Sequence, residues 1–277
     1  MDLKKYCSYL PVVVLLLVSC TSRELISEYR TENIHEHITW HVIKTDEILG
    51  VPSSINILDI DLNTFEGDIA VVWYSDTLVR TSDMAKEHDV LAAVNGSFFD
   101  MRVGGAVVFL QEKGKRVAEN HDKHSFSNSG AYALDTNGVV TILKRPLSGW
   151  SHMPAYEDVM ASGPLMIYRN TFCELDSISF NLRRHPRTAV GITEQDHLLL
   201  LTVDGRSPHA AGMSIWELRE YMDDLNCRDA LNLDGGGSTT MYIRGKKAGG
   251  VVNYPSDNGK FDHGGERRVA NALIVLE

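Results

Sequence analysis

Two aspartates at the ends of apolar runs are the residues of this chain best placed to do chemistry. They are Asp204 in Thr202-Val-Asp-Gly-Arg206 and Asp234 in Asn232-Leu-Asp-Gly-Gly-Gly-Ser238. A pair of carboxylates can act as acid and base, or as nucleophile and acid, in glycosidic hydrolysis. Cations accompany them: Arg183-Arg-His-Pro-Arg-Thr188 gathers three arginines beside a predicted strand, Arg206 follows Asp204, and Arg267 lies in Asp262-His-Gly-Gly-Glu-Arg-Arg268. Arginine is suited to bidentate recognition of phosphate, although salt bridges to surface acids are an alternative role for each one.

Gly235, Gly236 and Gly237 pose a separate question, because glycine weakens any regular element. The stretch lacks the lysine of a P-loop and no helix pattern follows it, so a nucleotide site of that type is excluded. β-type sequence resumes at once, and a hairpin turn is one reading. The other is functional. Glycines at positive φ let successive amides converge on an anion, with no Cβ between backbone and ligand, and the Ser238 hydroxyl adds a donor. Asn95-Gly-Ser-Phe-Phe-Asp100 ends a further apolar run. A buried Asn95 amide there would orient sugar hydroxyls or shape a turn. If these strand ends share a sheet edge, they form a pocket for an anionic sugar or a phosphodiester.

The elements needed to position them are mostly short strands. Ile55–Leu62 alternates apolar and polar residues, as does part of Asp68–Tyr74. Ala131–Leu134 and Val139–Leu143 flank Asp135-Thr-Asn-Gly138, a hairpin signal. Thr188–Ile192 and Leu198–Val203 predict a second hairpin, and Val269–Leu276 a last strand. One helix is well marked. Ser214 and Glu217 form a capping box, and Leu218, Tyr221, Met222 and Leu225 make an apolar face. Ser82–His88 is a shorter candidate. The pattern predicts an α+β fold, with mainly antiparallel mixed sheets and few helices, in a single domain.

The chain has 277 residues, is 43% hydrophobic and carries a formal charge of −10, which argues against a nucleic-acid partner. Its start reads as an export signal. Lys4 and Lys5 precede an apolar stretch, Leu10–Val18, too short to span a bilayer. Leu17-Val-Ser-Cys20 resembles a bacterial lipobox, in which Cys20 carries lipid. The expected layout is a signal peptide over residues 1–19, a polar tether over 20–40 and one domain over 41–277. Cleavage removes Lys4, Lys5 and Asp2 and leaves −11. The expected location is the bacterial cell envelope, with the membrane as partner through the N-terminal lipid.

An oxidising compartment would permit Cys173 and Cys227 to pair, and two free thiols are equally compatible with the sequence. His35, His37 and His41, like His121 and His124, lack the spacing of a zinc site. No cofactor is expected, and a hard cation on Asp204 or Asp234 has no positive support.

Seven blocks in order are similar to the phosphodiester glycosidase family. They are Ala93–Phe99, Ser162-Gly-Pro-Leu165, Pro186–Gly191, Leu201–Arg206, Met213–Leu218, Ala230–Ser238 and Glu266–Asn271. The resemblance runs from about residue 90 to the C-terminus. It implies hydrolysis of a sugar-1-phosphodiester at the glycosidic bond, releasing sugar and leaving a phosphomonoester. On that reading Asp204, Asp234 and Arg187 are catalytic. Asn95, Ser97, Ser162, Gly163, Thr188, Arg206, Gly235, Gly236, Gly237, Ser238, Arg267 and Asn271 bind substrate. The competing readings are a non-catalytic lipoprotein that binds phosphorylated glycans, and a phosphodiesterase that cuts the P–O bond.

Overall fold

The computed structural model describes residues 27–119 and 125–277. The expected signal peptide, Cys20, His121 and His124 lie outside the described residues. The strand His197–Val203 shows how the chain fills two cores at once. Successive side chains of a strand point to opposite faces. Leu198 and Leu200 therefore join Val190, Ile192 and Leu231 in one core, while Leu199, Leu201 and Val203 join Leu218 and Met222 in another. An uninterrupted apolar run is what a strand covered on both faces requires.

That strand lies inside an eight-stranded sheet. Its order is Ser27–His35, Ile38–Thr45, Ser53–Asp61, His197–Val203, Arg187–Thr193, Cys227–Asn232, Leu165–Tyr168 and Thr171–Phe172. The helix Ile215–Asp224 covers one face. Its capping box is formed: Ser214 Oγ accepts from the Glu217 amide at 3.2 Å, and the Glu217 carboxylate accepts from the Ser214 amide at 2.9 Å. Leu218 is fully buried, worth roughly 1.5–3 kcal/mol of apolar transfer.

Two smaller sheets cover the other face. One contains Val140–Lys144, Gly130–Asp135, Tyr156–Ser162, Leu110–Glu112 and Lys115–Ala118; the second contains Met241–Ile243, Ala92–Asn95, Asn271–Val275 and Ile69–Trp73. Polar bolts join them. Tyr132 donates its hydroxyl to the Ile69 carbonyl at 2.6 Å, and the buried Asp158 carboxylate accepts from the Val71 and Lys113 amides, each at 3.0 Å. All strand pairings between named strands are antiparallel, and three helices occur among the described residues. The α+β expectation holds.

Two expectations are corrected. Ser27–His35, expected within the tether, is an edge strand paired with Ile38–Thr45 from Ser27↔Thr45 to His35↔Ile38. An edge strand is held by its backbone, so its polar, largely exposed side chains gave no strand signal. The ordered domain thus begins by residue 27, not 41. The glycine run is also not a hairpin turn. Cys227–Asn232 belongs to the large sheet and Met241–Ile243 to the four-stranded one, so the segment between them crosses between sheets through a 3₁₀ turn at Gly236–Ser238. Cys173 and Cys227 are both free thiols.

Candidate active site

Asn95, the last residue of its strand, joins the pieces of the site. Its fully buried amide accepts from Thr188 Oγ1 at 2.7 Å and the Thr240 amide at 3.1 Å, and donates to the Asp234 carbonyl at 2.7 Å. One side chain thereby ties the four-stranded sheet to the large sheet and to the glycine crossover. With these bonds made, Asn95 acts as a clamp on the site rather than as a group offered to sugar. Thr188 is its buried partner. The neighbouring Gly96 accepts from the Asp234 amide at 3.0 Å through its carbonyl and donates to the Asn271 carbonyl at 3.0 Å. A Cβ on Gly96 would stand 2.2 Å from Asn271 Oδ1. Ser97 continues the chain of contacts: its amide donates to Asn271 Oδ1 and its hydroxyl to the Ala161 carbonyl, each at 2.5 Å. Gly163 is joined through its carbonyl, which accepts from Asn232 Nδ2 at 2.7 Å.

The glycines are required by crowding. A Cβ on Gly235 would lie 2.7 Å from the Pro186 carbonyl oxygen; on Gly236, which has φ +64°, 2.8 Å from Arg206 Nη2; on Gly237, 2.3 Å from Asp257 Oδ1 and 2.5 Å from Arg267 Nη2. Two guanidiniums and a carboxylate therefore rest directly on this backbone. Two of the three amides of the expected nest are already engaged: the Gly235 amide donates to Asp234 Oδ1 at 2.9 Å and the Gly236 amide to the Pro186 carbonyl at 2.8 Å.

Arg187 is 1% exposed, and it donates to three carbonyls: Met213 at 2.9 Å, Phe180 at 2.6 Å and Arg183 at 3.0 Å. It lies 4.7 Å over the Phe180 ring and, among the described residues, meets no carboxylate within ion-pair distance. Burial, then the Arg206 charge, lowers its pKa to about 10, against the pull of Asp234, so it stays charged at neutral pH. Arg206 is exposed and has no ion pair among the described residues. Arg267 is held by Asp257, with Nε 3.0 Å from Oδ1.

Asp234, half-buried, faces this cluster. Burial pushes its carboxyl up to about 6, while Ser238, the Gly235 amide, Arg267 and Arg187 pull in the opposite direction. Ser162 Oγ, Asn271 Nδ2, Thr239 Oγ1, Thr240 Oγ1 and Asn232 Oδ1, all from segments packed with this loop, are buried without a hydrogen-bond partner among the described residues. Buried polar atoms are nearly always satisfied, so such a concentration marks a place for water or ligand.

Asp204 has a different environment. It is fully buried, and its carboxylate accepts from Ser54 Oγ at 2.7 Å, Asn253 Nδ2 at 3.0 Å and the Tyr254 amide at 2.8 Å. Burial raises its pKa, with these three bonds opposing. The carboxylate fastens the segment after Val252 to the sheet, with Oδ1 accepting two of these bonds and Oδ2 the third. The two-carboxylate pocket expected from the sequence thus contains Asp234 without Asp204, and the second carboxylate at the loop is Asp257. Nothing local in Asp257-Asn-Gly marked it, because its role depends on a pairing ten residues away with Arg267. His185 was also overlooked within the arginine segment. Its Nδ1 is buried and unpartnered, and burial together with Arg187, Arg206 and Arg183 lowers its pKa, which keeps the ring neutral.

A family model described as phosphodiester glycosidase matches residues 88–276. The chain belongs to that family. It is 42% identical over 187 residues to the N-acetylglucosamine-1-phosphodiester alpha-N-acetylglucosaminidase of Bos taurus, covering 64% of this chain and 34% of that one. An SPbeta prophage-derived protein of Bacillus subtilis is 27% identical over 202 residues, covering 69% of this chain and 29% of its own. The chain thus spans about a third of the length of these relatives. Among solved structures, the zebrafish N-acetylglucosamine-1-phosphodiester alpha-N-acetylglucosaminidase catalytic domain, auto-inhibited by its pro-peptide, superposes with a TM-score of 0.69. It has 19% identity and covers 91% of this chain and 88% of that one. A putative exported protein from Burkholderia pseudomallei K96243 gives 0.68 at 14% identity, covering 92% and 97%. At these identities the superpositions show a shared fold. Family membership supports a phosphodiester glycosidase-like hydrolase function.

Proposed function

We propose that this chain is an exported, lipid-anchored glycosidase that hydrolyses the C1–O bond of sugar-1-phosphodiesters, releasing free sugar and a phosphomonoester. The observation that carries the reading is Asp234: a half-buried carboxylate with a pKa near 6, set among Arg187, Arg206 and Arg267. The phosphate of the diester binds Arg206 and Arg267, while Arg187, buried and spent on three carbonyls, contributes its charge without direct contact. This positive field stabilises the charge that grows as C1–O breaks and its electron pair moves to the phosphate oxygen. A phosphate ester is a good leaving group, so its departure needs neutralisation more than protonation. Asp234 supplies negative charge at the oxocarbenium-like carbon, either by bonding to it or by taking a proton from the attacking water. Asn95, Thr188, Ser97 and Asn271 hold the loop that carries Asp234. Export and anchoring rest on Lys4, Lys5, the apolar stretch and Cys20.

The test uses the soluble domain with UDP-N-acetylglucosamine and with the methyl-phosphate diester of N-acetylglucosamine, in ¹⁸O-water. Free sugar carrying the label, with an intact phosphomonoester, is the expected product. Label in the phosphate would instead establish P–O cleavage, and tight binding without turnover a binding protein. The anomer released separates the two roles of Asp234, retention for the nucleophile and inversion for the base.

A further inference from the structure

A second groove is built by the same segment that completes the site. Residues 253–267 touch the glycine crossover twice: Asn253 Nδ2 donates to the Thr239 carbonyl at 3.0 Å, and the Asp257–Arg267 pair rests on Gly237. Between those anchors the segment carries a ladder of rings. Tyr254 stacks on Phe261 with centroids 4.1 Å apart and 14° between planes, and on His263 at 4.5 Å and 23°. Tyr254 and His263 help to line a cavity of about 390 Å³, together with Trp40, Lys44 and the turn at Lys246 and Lys247.

The charge in this groove runs against the rest of the molecule. In a chain with a formal charge of −10, its lining includes Arg30, Lys44, Lys246 and Lys247 against a single carboxylate, Glu32. Glu32 is shared by two of these cations, being paired with Lys246 and lying 3.6 Å from Arg30. Both cations also sit over the Trp40 ring, Arg30 at 4.5 Å and Lys246 at 5.3 Å. Lys44 lies 5.6 Å from the Tyr254 ring centroid, with Glu28 3.2 Å away outside the lining. Lys247 is exposed and has no ion pair among the described residues. A latch holding the edge strand would need only the Lys246–Glu32 pair. The further cations leave the groove with an excess of positive charge beside aromatic surface, which suits an anionic saccharide.

We propose that this groove holds a second phosphate of a polymeric, phosphodiester-linked glycan, so that the enzyme acts on chains rather than on single sugar phosphates. The inference rests on the glycosidase reading of the Asp234 site. The neighbouring repeat lies along the Tyr254 segment, with its phosphate among Lys44, Lys246 and Lys247, while the scissile phosphate occupies the arginine cluster.

Two arms test it. The first compares turnover of three N-acetylglucosamine units joined by phosphodiesters with turnover of the single methyl-phosphate diester. The wild-type protein should show a KM about tenfold lower for the trimer. The paired substitution Lys246→Gln with Lys247→Gln should erase that advantage, leaving kcat and the KM of the single diester unchanged. Lys247→Arg should retain it. A wild-type protein that does not favour the trimer, or a variant that keeps the full advantage, overturns the proposal. The second arm measures calorimetric binding of the trimer's phosphonate analogue, which cannot be cleaved at C1–O. Binding that weakens in the paired variant and falls with ionic strength upholds the groove even if no diester is turned over, in which case the glycosidase reading alone fails. Binding equal in wild type and variant rejects the groove.

Discussion

Asp204 and Asp234 have nearly the same sequence context, each closing an apolar run and each followed by glycine, yet the fold gives them opposite tasks. The carboxylate of Asp204 accepts three hydrogen bonds, from Ser54, Asn253 and Tyr254. Asp234 accepts the Gly235 amide in its own loop and lies within the field of Arg187 and Arg267. Burial raises the pKa of both acids. A fully buried carboxylate held by three donors fastens structure, while a half-buried one beside guanidiniums is placed to meet an anionic substrate. The donors that decide between these tasks come from segments distant in sequence.

The most severe way to break the comparison is to neutralise each acid in turn. Asp234→Asn should lower kcat on a sugar-1-phosphodiester by about 10³-fold, the usual scale for losing a catalytic base or nucleophile. Asp204→Asn should change it little. An asparagine there keeps one oxygen for the Tyr254 amide and Asn253, and its amide can donate to the Ser54 hydroxyl. Steady-state kinetics of the two variants decides the matter. Equal losses would return Asp204 to the reaction. In the Asp234 wild type, kcat/KM should also rise with pH through about 6, as the carboxyl ionises.

This outcome shows where sequence reading succeeds. The capping box of Ser214 and Glu217 and the Asp135–Gly138 hairpin were legible because their partners lie within a few residues. Leu198–Val203 was legible because covering both faces of a strand demands apolar residues throughout. The Asp234 loop was read as special for a sound reason, three glycines beside an acid, but the mechanism differs. The glycines make room for Arg206, Arg267 and Asp257, and two of their three amides are spent within the fold. Ser27–His35 was missed because its pairing is carried by backbone, and Asp257 because its importance arises only when the chain folds back onto Gly237.

The arginines offer a milder contrast. Arg187→Lys should cost about 3 kcal/mol of stability, because an ammonium cannot reach the Met213, Phe180 and Arg183 carbonyls together, and buried acceptors would be left unpaired. Arg206→Ala should leave the melting temperature unchanged, since the side chain is exposed and unpaired, and raise KM. Thermal melts with kinetics separate the two. A melt lowered equally by both would mean that Arg206 is structural. Asp204→Ala, which deletes the acceptor for three donors, should cost about 2–3 kcal/mol with kcat preserved in the folded fraction.

The smallest effect has the most specific sign. Burial moves the Asp234 pKa from 3.8 to about 6, so the folded protein binds this proton more tightly than the unfolded chain does. Its contribution to stability is therefore most favourable below about pH 4, declines as pH rises towards 6, and is constant above. Asparagine has no such penalty. Asp234→Asn should match the wild type in stability near pH 3.5 and exceed it at pH 7. The span from 3.8 to about 6 corresponds to about 3 kcal/mol for a fully desolvated group, and partial exposure of the carboxyl reduces this to about 1–2 kcal/mol. Denaturant melts of both proteins across that range measure it directly. A variant that is less active and more stable at neutral pH would mark Asp234 as a group kept in place for chemistry at the expense of stability. A variant less stable at every pH would show instead that Asp234, like Asp204, is a structural fastening, and the contrast between the two acids would fail.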